Sequence, residues 1–114
     1  MHIAPYTITY YSDETGRKRF REWYLSLCDK TAMQKIAVRL SRLELGNFGV
    51  CKGVGSGVME LKIDYGPGYR VYYAVDGETI ILLLIGGDKK SQQRDIETAQ
   101  AYRKAHKERK QCEK

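Results

Sequence analysis

The chain has 114 residues, 42% hydrophobic and 30% charged, the size and composition of one soluble globular domain with its own core. Twenty lysines and arginines against fourteen acidic side chains leave a net charge of +6, which suggests a polyanionic partner. The longest unbroken apolar run, Ile80 to Ile85, is too short for a membrane span, and no basic-then-apolar leader opens the chain. Three widely spaced cysteines, Cys28, Cys51 and Cys112, argue against a disulfide framework or zinc site and for a reducing cytoplasm.

The charge is uneven. Residues 1–88 hold eleven basic and ten acidic side chains, whereas residues 89–114 hold nine and four. The excess therefore sits in the last quarter of the chain, either as a solvated helix or as a phosphate-binding arm.

Tyr6-Thr-Ile-Thr-Tyr10 is β-branched and aromatic, which predicts a first strand. Ser12 to Thr15 then offers N-cap oxygens. Phe20, Trp23, Tyr24 and Leu27 fall at i, i+3, i+4 and i+7, one face of a helix ending near Cys28. Asp29 or Thr31 can cap a second helix, carried by Met33, Ile36, Ala37, Leu40 and Leu43 and stopped by Gly46-Asn47. So short a link predicts an antiparallel hairpin. Residues 46–57 hold five glycines but lack the Gly-Lys-Ser/Thr ending of a P-loop, so they read as a connector, with Lys52 free to touch a phosphate.

Val58 to Tyr65 alternates, with Met59, Leu61, Ile63 and Tyr65 on one face and Glu60, Lys62 and Asp64 on the other. Gly66-Pro67-Gly68 turns the chain into a return strand, Tyr69 to Val75, with Arg70, Tyr72 and Ala74 on the polar side. Asp76-Gly77 signals a hairpin, and the apolar Thr79 to Ile85 predicts a strand covered on both faces. Ser91 can cap a last helix whose thin apolar face, Ile96, Ala99 and Tyr102, suggests docking only in its first turns.

The order predicts one α+β domain over residues 1–114: a mostly antiparallel four-stranded sheet, covered on one face by the N-terminal helical hairpin, plus a basic C-terminal helix over about 91–110. The other sheet face would carry Glu60, Lys62, Arg70 and Tyr72, with Lys89 and Lys90 at its edge. Such a face is either an open surface with weak cross-strand pairs such as Asp64 with Arg70, or a groove. In a groove, the planar fork of Arg70 suits a phosphate and the ring of Tyr72 would stack on an unpaired base. The only histidines, His2 and His106, lie near opposite termini, so a paired-histidine ribonuclease has no material. No cluster has metal-ligand spacing, no Gly-x-Ser-x-Gly occurs, and Cys28 and Cys51 read as packing residues.

Four segments occur together in this order: Phe20-Arg-Glu-Trp23, Lys52 to Leu61 with its glycines, Asp64-Tyr-Gly-Pro-Gly-Tyr-Arg-Val-Tyr-Tyr73, and Leu83-Leu84-x-Gly-Gly-Asp-Lys89. Over about residues 6–105 the chain resembles the phage-related, HigB-type branch of the RelE/ParE toxin superfamily. The resemblance implies a RelE-like fold and a cytoplasmic type II toxin–antitoxin toxin that cleaves mRNA on the ribosome. It implies metal- and cofactor-free attack by a 2′-hydroxyl to leave a 2′,3′-cyclic phosphate. It further implies a helix-turn-helix antitoxin, through which alone the protein reaches operator DNA. Arg70 matches the arginine such enzymes place at the scissile phosphate, Lys62 their functional lysine, and Lys89 and Lys90 the basic segment after the last strand. Arg70 would stabilise charge on the phosphorane, and Lys62 or Lys89 would assist proton transfer. Lys52, Glu60, Tyr72, Arg94, Tyr102, Arg103 and Lys104 would contact RNA. Ser91 to Ile96 lacks the tyrosine of RelE and the histidine of some HigB toxins, which leaves the general base unassigned. The superfamily also contains ParE-like toxins that inhibit DNA gyrase without cutting RNA, and a non-catalytic module of an antitoxin–repressor complex is a third reading.

Overall fold

The computed structural model describes residues 4–112; His2 lies outside them. The elements are β1 (Thr7–Tyr10), α1 (Arg19–Ser26), α2 (Lys30–Glu44), β2 (Cys51–Gly53), β3 (Met59–Ile63), β4 (Tyr69–Asp76), β5 (Ile80–Gly87) and α3 (Gln92–Cys112). They form an α+β domain around one five-stranded mixed sheet in the order β1-β5-β4-β3-β2. β1 runs parallel to β5 and the other pairs are antiparallel.

The expectation of four strands is therefore corrected to five. β2 pairs Cys51, Lys52 and Gly53 with Leu61, Glu60 and Met59. Three residues ending in glycine leave no alternating pattern to read. Asp29 caps α2 by accepting from Ala32 N–H at 3.1 Å, as expected. α1 instead starts at Arg19 after an uncapped Lys18, because Asp13 is spent on the preceding turn, where it accepts from Thr15 and Arg17 N–H. Cys28 is exposed rather than packed.

The sheet has a core on each face. On one face Phe20 of α1 and Ile36 and Leu43 of α2 pack with Leu61, Ile63, Val71, Tyr73, Ile81 and Leu83 of the strands. On the opposite face Tyr11, Val58, Tyr72, Ala74, Leu82 and Leu84 are buried with Ala99 of α3, and Ile96 and Tyr102 pack against them. The second face is thus not an open groove, because α3 covers it. β5 is apolar throughout because it lies between β1 and β4 with helices above and below.

α3 is docked over most of its length, not merely in its first turns. Polar contacts supplement its sparse apolar face. Gln100 Nε2 donates to the Val54 carbonyl at 2.7 Å, and Tyr102 stacks on Tyr11 with centroids 4.7 Å apart. Arg109 lies over the Tyr11 ring. Asp76, the last residue of β4, holds His106 Nε2 at 2.9 Å and Lys110 Nζ at 3.0 Å.

A register shift between Tyr72 and Tyr73 makes β5 bulge at Leu84, so that Tyr72 faces Ile85 while Tyr73 faces Leu83. The bulge resets which side each later residue faces. A Cβ on Gly86 would stand 2.2 Å from Trp23 of α1, and one on Gly87 would stand 1.8 Å from the Asp95 carboxylate of α3. The glycine pair lets both helices close on the end of one strand.

Gly87→Ala should therefore lower stability by about 3 kcal/mol or more in urea unfolding, whereas Gly77→Ala, which meets no neighbour, should cost only about 1 kcal/mol for its left-handed backbone. His106 first, and then Lys110, pull the Asp76 carboxyl below the ordinary aspartate range. Its stabilisation is therefore complete above about pH 4 and fades as pH falls through the lower folded value. Asp76→Asn should remove that acid-limb dependence from a pH series of thermal melts.

Candidate active site

The site grows from the turn between β3 and β4. Gly66 and Gly68 are left-handed, at φ +58° and +77°, and Gly68 N–H donates to the Tyr65 carbonyl at 3.1 Å. Arg70 folds back so that its Nη1 donates to the Gly68 carbonyl at 2.7 Å. A Cβ on Gly68 would stand 3.1 Å from that Nη1 and 3.8 Å from Lys89 Cβ. Lys89 N–H donates to the Pro67 carbonyl at 3.4 Å, tying the β5–α3 corner to the same turn. The Gly-Pro-Gly-Tyr-Arg sequence is thus a device for bringing Arg70 and Lys89 to one place. Lys62 joins them, because the register sets Lys62, Arg70 and Gly87 side by side across three strands. Lys62, Lys89 and Lys90 are exposed, while Arg70 is only 6% exposed.

One step along the sheet is a buried carboxylate. Glu60 is 3% exposed and accepts from Tyr72 Oη at 2.9 Å and from Gln92 Nε2 of α3 at 3.0 Å. Lys52 Nζ lies 3.6 Å from one Glu60 oxygen, and Arg70 Nε lies 4.0 Å from the other. Arg70 Nε has no hydrogen-bond partner among the described residues. Among the described residues, most of the five N–H donors of this guanidinium are therefore uncommitted. The carboxylate balances the two cations and holds Arg70 in place. Burial first, and the Glu60 hydrogen bond second, push the Tyr72 phenol far up, so that it stays a proton donor.

Beside Gly87 a second carboxylate is buried. Asp95 accepts from the Ser91 hydroxyl, and desolvation pushes its pKa up. Both line a cleft of about 630 Å³, together with Trp23, Lys90 and Arg94.

Several sequence assignments change. Tyr72 is fully buried and cannot stack on a base; its role is to hold Glu60. Glu60 is the hub of the cluster rather than an exposed RNA contact. Tyr102 is half-buried on Tyr11. Asp64 is exposed and does not pair with Arg70; Glu60 does. Arg103 and Lys104 lie near Ser56 and Gly57, apart from the Arg70 cluster. Gln92 carries no sequence signal because it meets Glu60 across the helix–sheet contact, which no local motif marks; Asp95 bonds to Ser91 one turn away, and only its burial against Gly87 comes from that contact.

A profile of the family described as "Phage derived protein Gp49-like (DUF891)" matches residues 23–109. The chain belongs to that family. The Gp49-like family is associated with toxins of toxin–antitoxin systems. The chain is also similar to an uncharacterized protein of Haemophilus influenzae, 45% identical over 80 residues that cover 70% of this chain and 81% of the relative. The matched span of the Gp49-like profile contains Glu60, Lys62, Arg70, Tyr72 and Lys89. Among the described residues, no helix is long and apolar enough to cross a membrane.

Removing the phenol should expose the energetic role of the hub. Tyr72→Phe should cost about 2 kcal/mol in denaturant unfolding, since a hydrogen bond to a buried carboxylate is lost with little change of shape. An unchanged midpoint would show that Tyr72 does not hold Glu60.

Proposed function

We propose that this Gp49-like protein is the toxin of a type II toxin–antitoxin pair and a ribosome-dependent mRNA endonuclease acting in the cytoplasm. The observation that carries the reading is the Arg70 guanidinium, anchored by Gly68 and Glu60, with Lys62 beside it in register and Lys89 at the same turn. In the reaction, the 2′-oxygen of one nucleotide attacks the adjacent phosphorus. Its proton leaves to a base, the bond from phosphorus to the 5′-oxygen breaks, and that oxygen takes a proton. The products are a 2′,3′-cyclic phosphate and a 5′-hydroxyl. Negative charge grows on the non-bridging oxygens at the transition state, and a preorganised guanidinium stabilises it there. Lys62, Lys89 and Lys90 hold the flanking phosphates. A helix-turn-helix antitoxin is the partner that restrains the activity.

A ParE-like gyrase inhibitor is the second reading, favoured by the burial of Arg70. Inhibited supercoiling with intact mRNA would distinguish it.

Arg70→Ala should lower mRNA cleavage at least about a hundredfold in a purified translation reaction with mapped mRNA ends, while antitoxin binding persists. Full cleavage by this variant would sink the site.

A further inference from the structure

The tip of the β2–β3 hairpin meets the middle of α3, apart from the Arg70 cluster. Val54 N–H donates to the Val58 carbonyl at 2.9 Å, and Val58 N–H to the Gly55 carbonyl at 3.0 Å, closing a tight turn on Ser56 and Gly57. Both turn residues are left-handed, Ser56 at φ 57° and Gly57 at +79°, as in a type I′ hairpin turn. Ser56 is the one non-glycine residue in that conformation among the described residues. The Ser56 and Gly57 N–H groups donate to no protein acceptor among the described residues.

Facing this tip, α3 presents Gln100, Arg103, Lys104 and Lys107, which with Ser56 and Gly57 line a cleft of about 530 Å³. Gln100 pins the tip to the helix through the Val54 carbonyl. Arg103 Nε is buried without a hydrogen-bond partner among the described residues and lies 3.4 Å from where a Cβ on Gly57 would stand. Arg103, Lys104 and Lys107 form no salt bridge among the described residues. The single carboxylate on the rim, Glu97, accepts from Gln93 Nε2 at 3.3 Å. Three cations that form no salt bridge among the described residues thus share one notch with the exposed Ser56-Gly57 turn.

We propose that this notch is a second phosphodiester-binding site, which grips RNA backbone away from the Arg70 cluster. The proposal rests on the ribonuclease reading for the identity of the polyanion. The notch offers charge and backbone N–H groups but no aromatic anchor, which suits a phosphate chain and not a peptide interface. Gln92, which touches Glu60, and Arg103 are eleven residues apart on one helix, about 16 Å at 1.5 Å per residue. α3 therefore fixes the spacing between the two phosphate sites.

The test measures binding of a short labelled single-stranded RNA by fluorescence anisotropy over a salt series, in an Arg70→Ala background to prevent cleavage. Arg103→Gln with Lys107→Gln should weaken binding about tenfold and reduce the log–log salt slope by about 1.4. Lys104→Gln with Lys107→Gln, at two exposed positions, provides a pair that spares the half-buried Arg103, with thermal melts as the folding check. Unchanged affinity and slope in both pairs would overturn the notch while leaving the Arg70 reading standing. Competition by an acidic peptide, with RNA affinity untouched by the substitutions, would also overturn it and mark a protein-binding surface. Weakened RNA binding by the notch variants, in a protein whose Arg70 form cleaves no mRNA, would uphold the notch and reject the nuclease reading.

Discussion

Both faces of the central sheet are apolar, so the fold needs a cover on each. The helical hairpin supplies one with an ample aromatic and aliphatic face. The other falls to α3, whose apolar stripe is only Ile96, Ala99 and Tyr102. Hydrogen bonds and charge make up the difference: Gln92 to Glu60, Gln100 to Val54, and His106 and Lys110 to Asp76. The candidate site depends on this docking, because the helix that completes the core also delivers Gln92 to the buried carboxylate.

That carboxylate carries the electrostatic logic of the cluster. A buried glutamate is costly unless charge and hydrogen bonds compensate it. Glu60 has Tyr72, Gln92, Lys52 and Arg70 around it, drawn from β2, β4 and α3. Its worth is positional more than energetic. Removing any one partner leaves part of a buried ion uncompensated, so the arrangement is held tightly and Arg70 with it. The 4.0 Å separation and the orphaned Nε mean that the guanidinium is held near the carboxylate without being consumed by it.

Patterning made the helical hairpin, four of the five strands in the right order and the extent of α3 legible, because periods of 3.6 and 2 are local properties. It also placed Arg70, Lys62 and Tyr72 on one face. What it could not supply was the burial of that face. Ile96, Ala99 and Tyr102 look too few to cover a sheet, and only the three-dimensional meeting of Gln92 with Glu60 or His106 with Asp76 reveals the remaining attachment. Hence the local pattern presents Tyr72 as an exposed base-stacking ring, whereas the fold makes it a buried donor. β2 is silent in the sequence for a different reason: a three-residue strand beside a glycine-rich turn has no periodicity of its own. The Gly86-Gly87 pair was visible as a strand stop, yet its purpose, admitting Trp23 on one side and Asp95 on the other, depends on a bulge at Leu84 that no motif announces.

The same helix resolves the uneven charge of the chain. A basic C-terminal segment that simply frayed into solvent would attract polyanions without orienting them. Docked from Gln92 to Lys110, α3 instead divides its cations by what lies beneath them. Lys110 is occupied by Asp76 and Arg109 by Tyr11, so these two secure the helix. Arg94 faces the cleft near Gly87, while Arg103, Lys104 and Lys107 surround the hairpin tip. A net charge counts all of these alike. Their consequences differ, because a cation already paired contributes to stability whereas an unpaired one beside free backbone N–H groups is available to a ligand's phosphates.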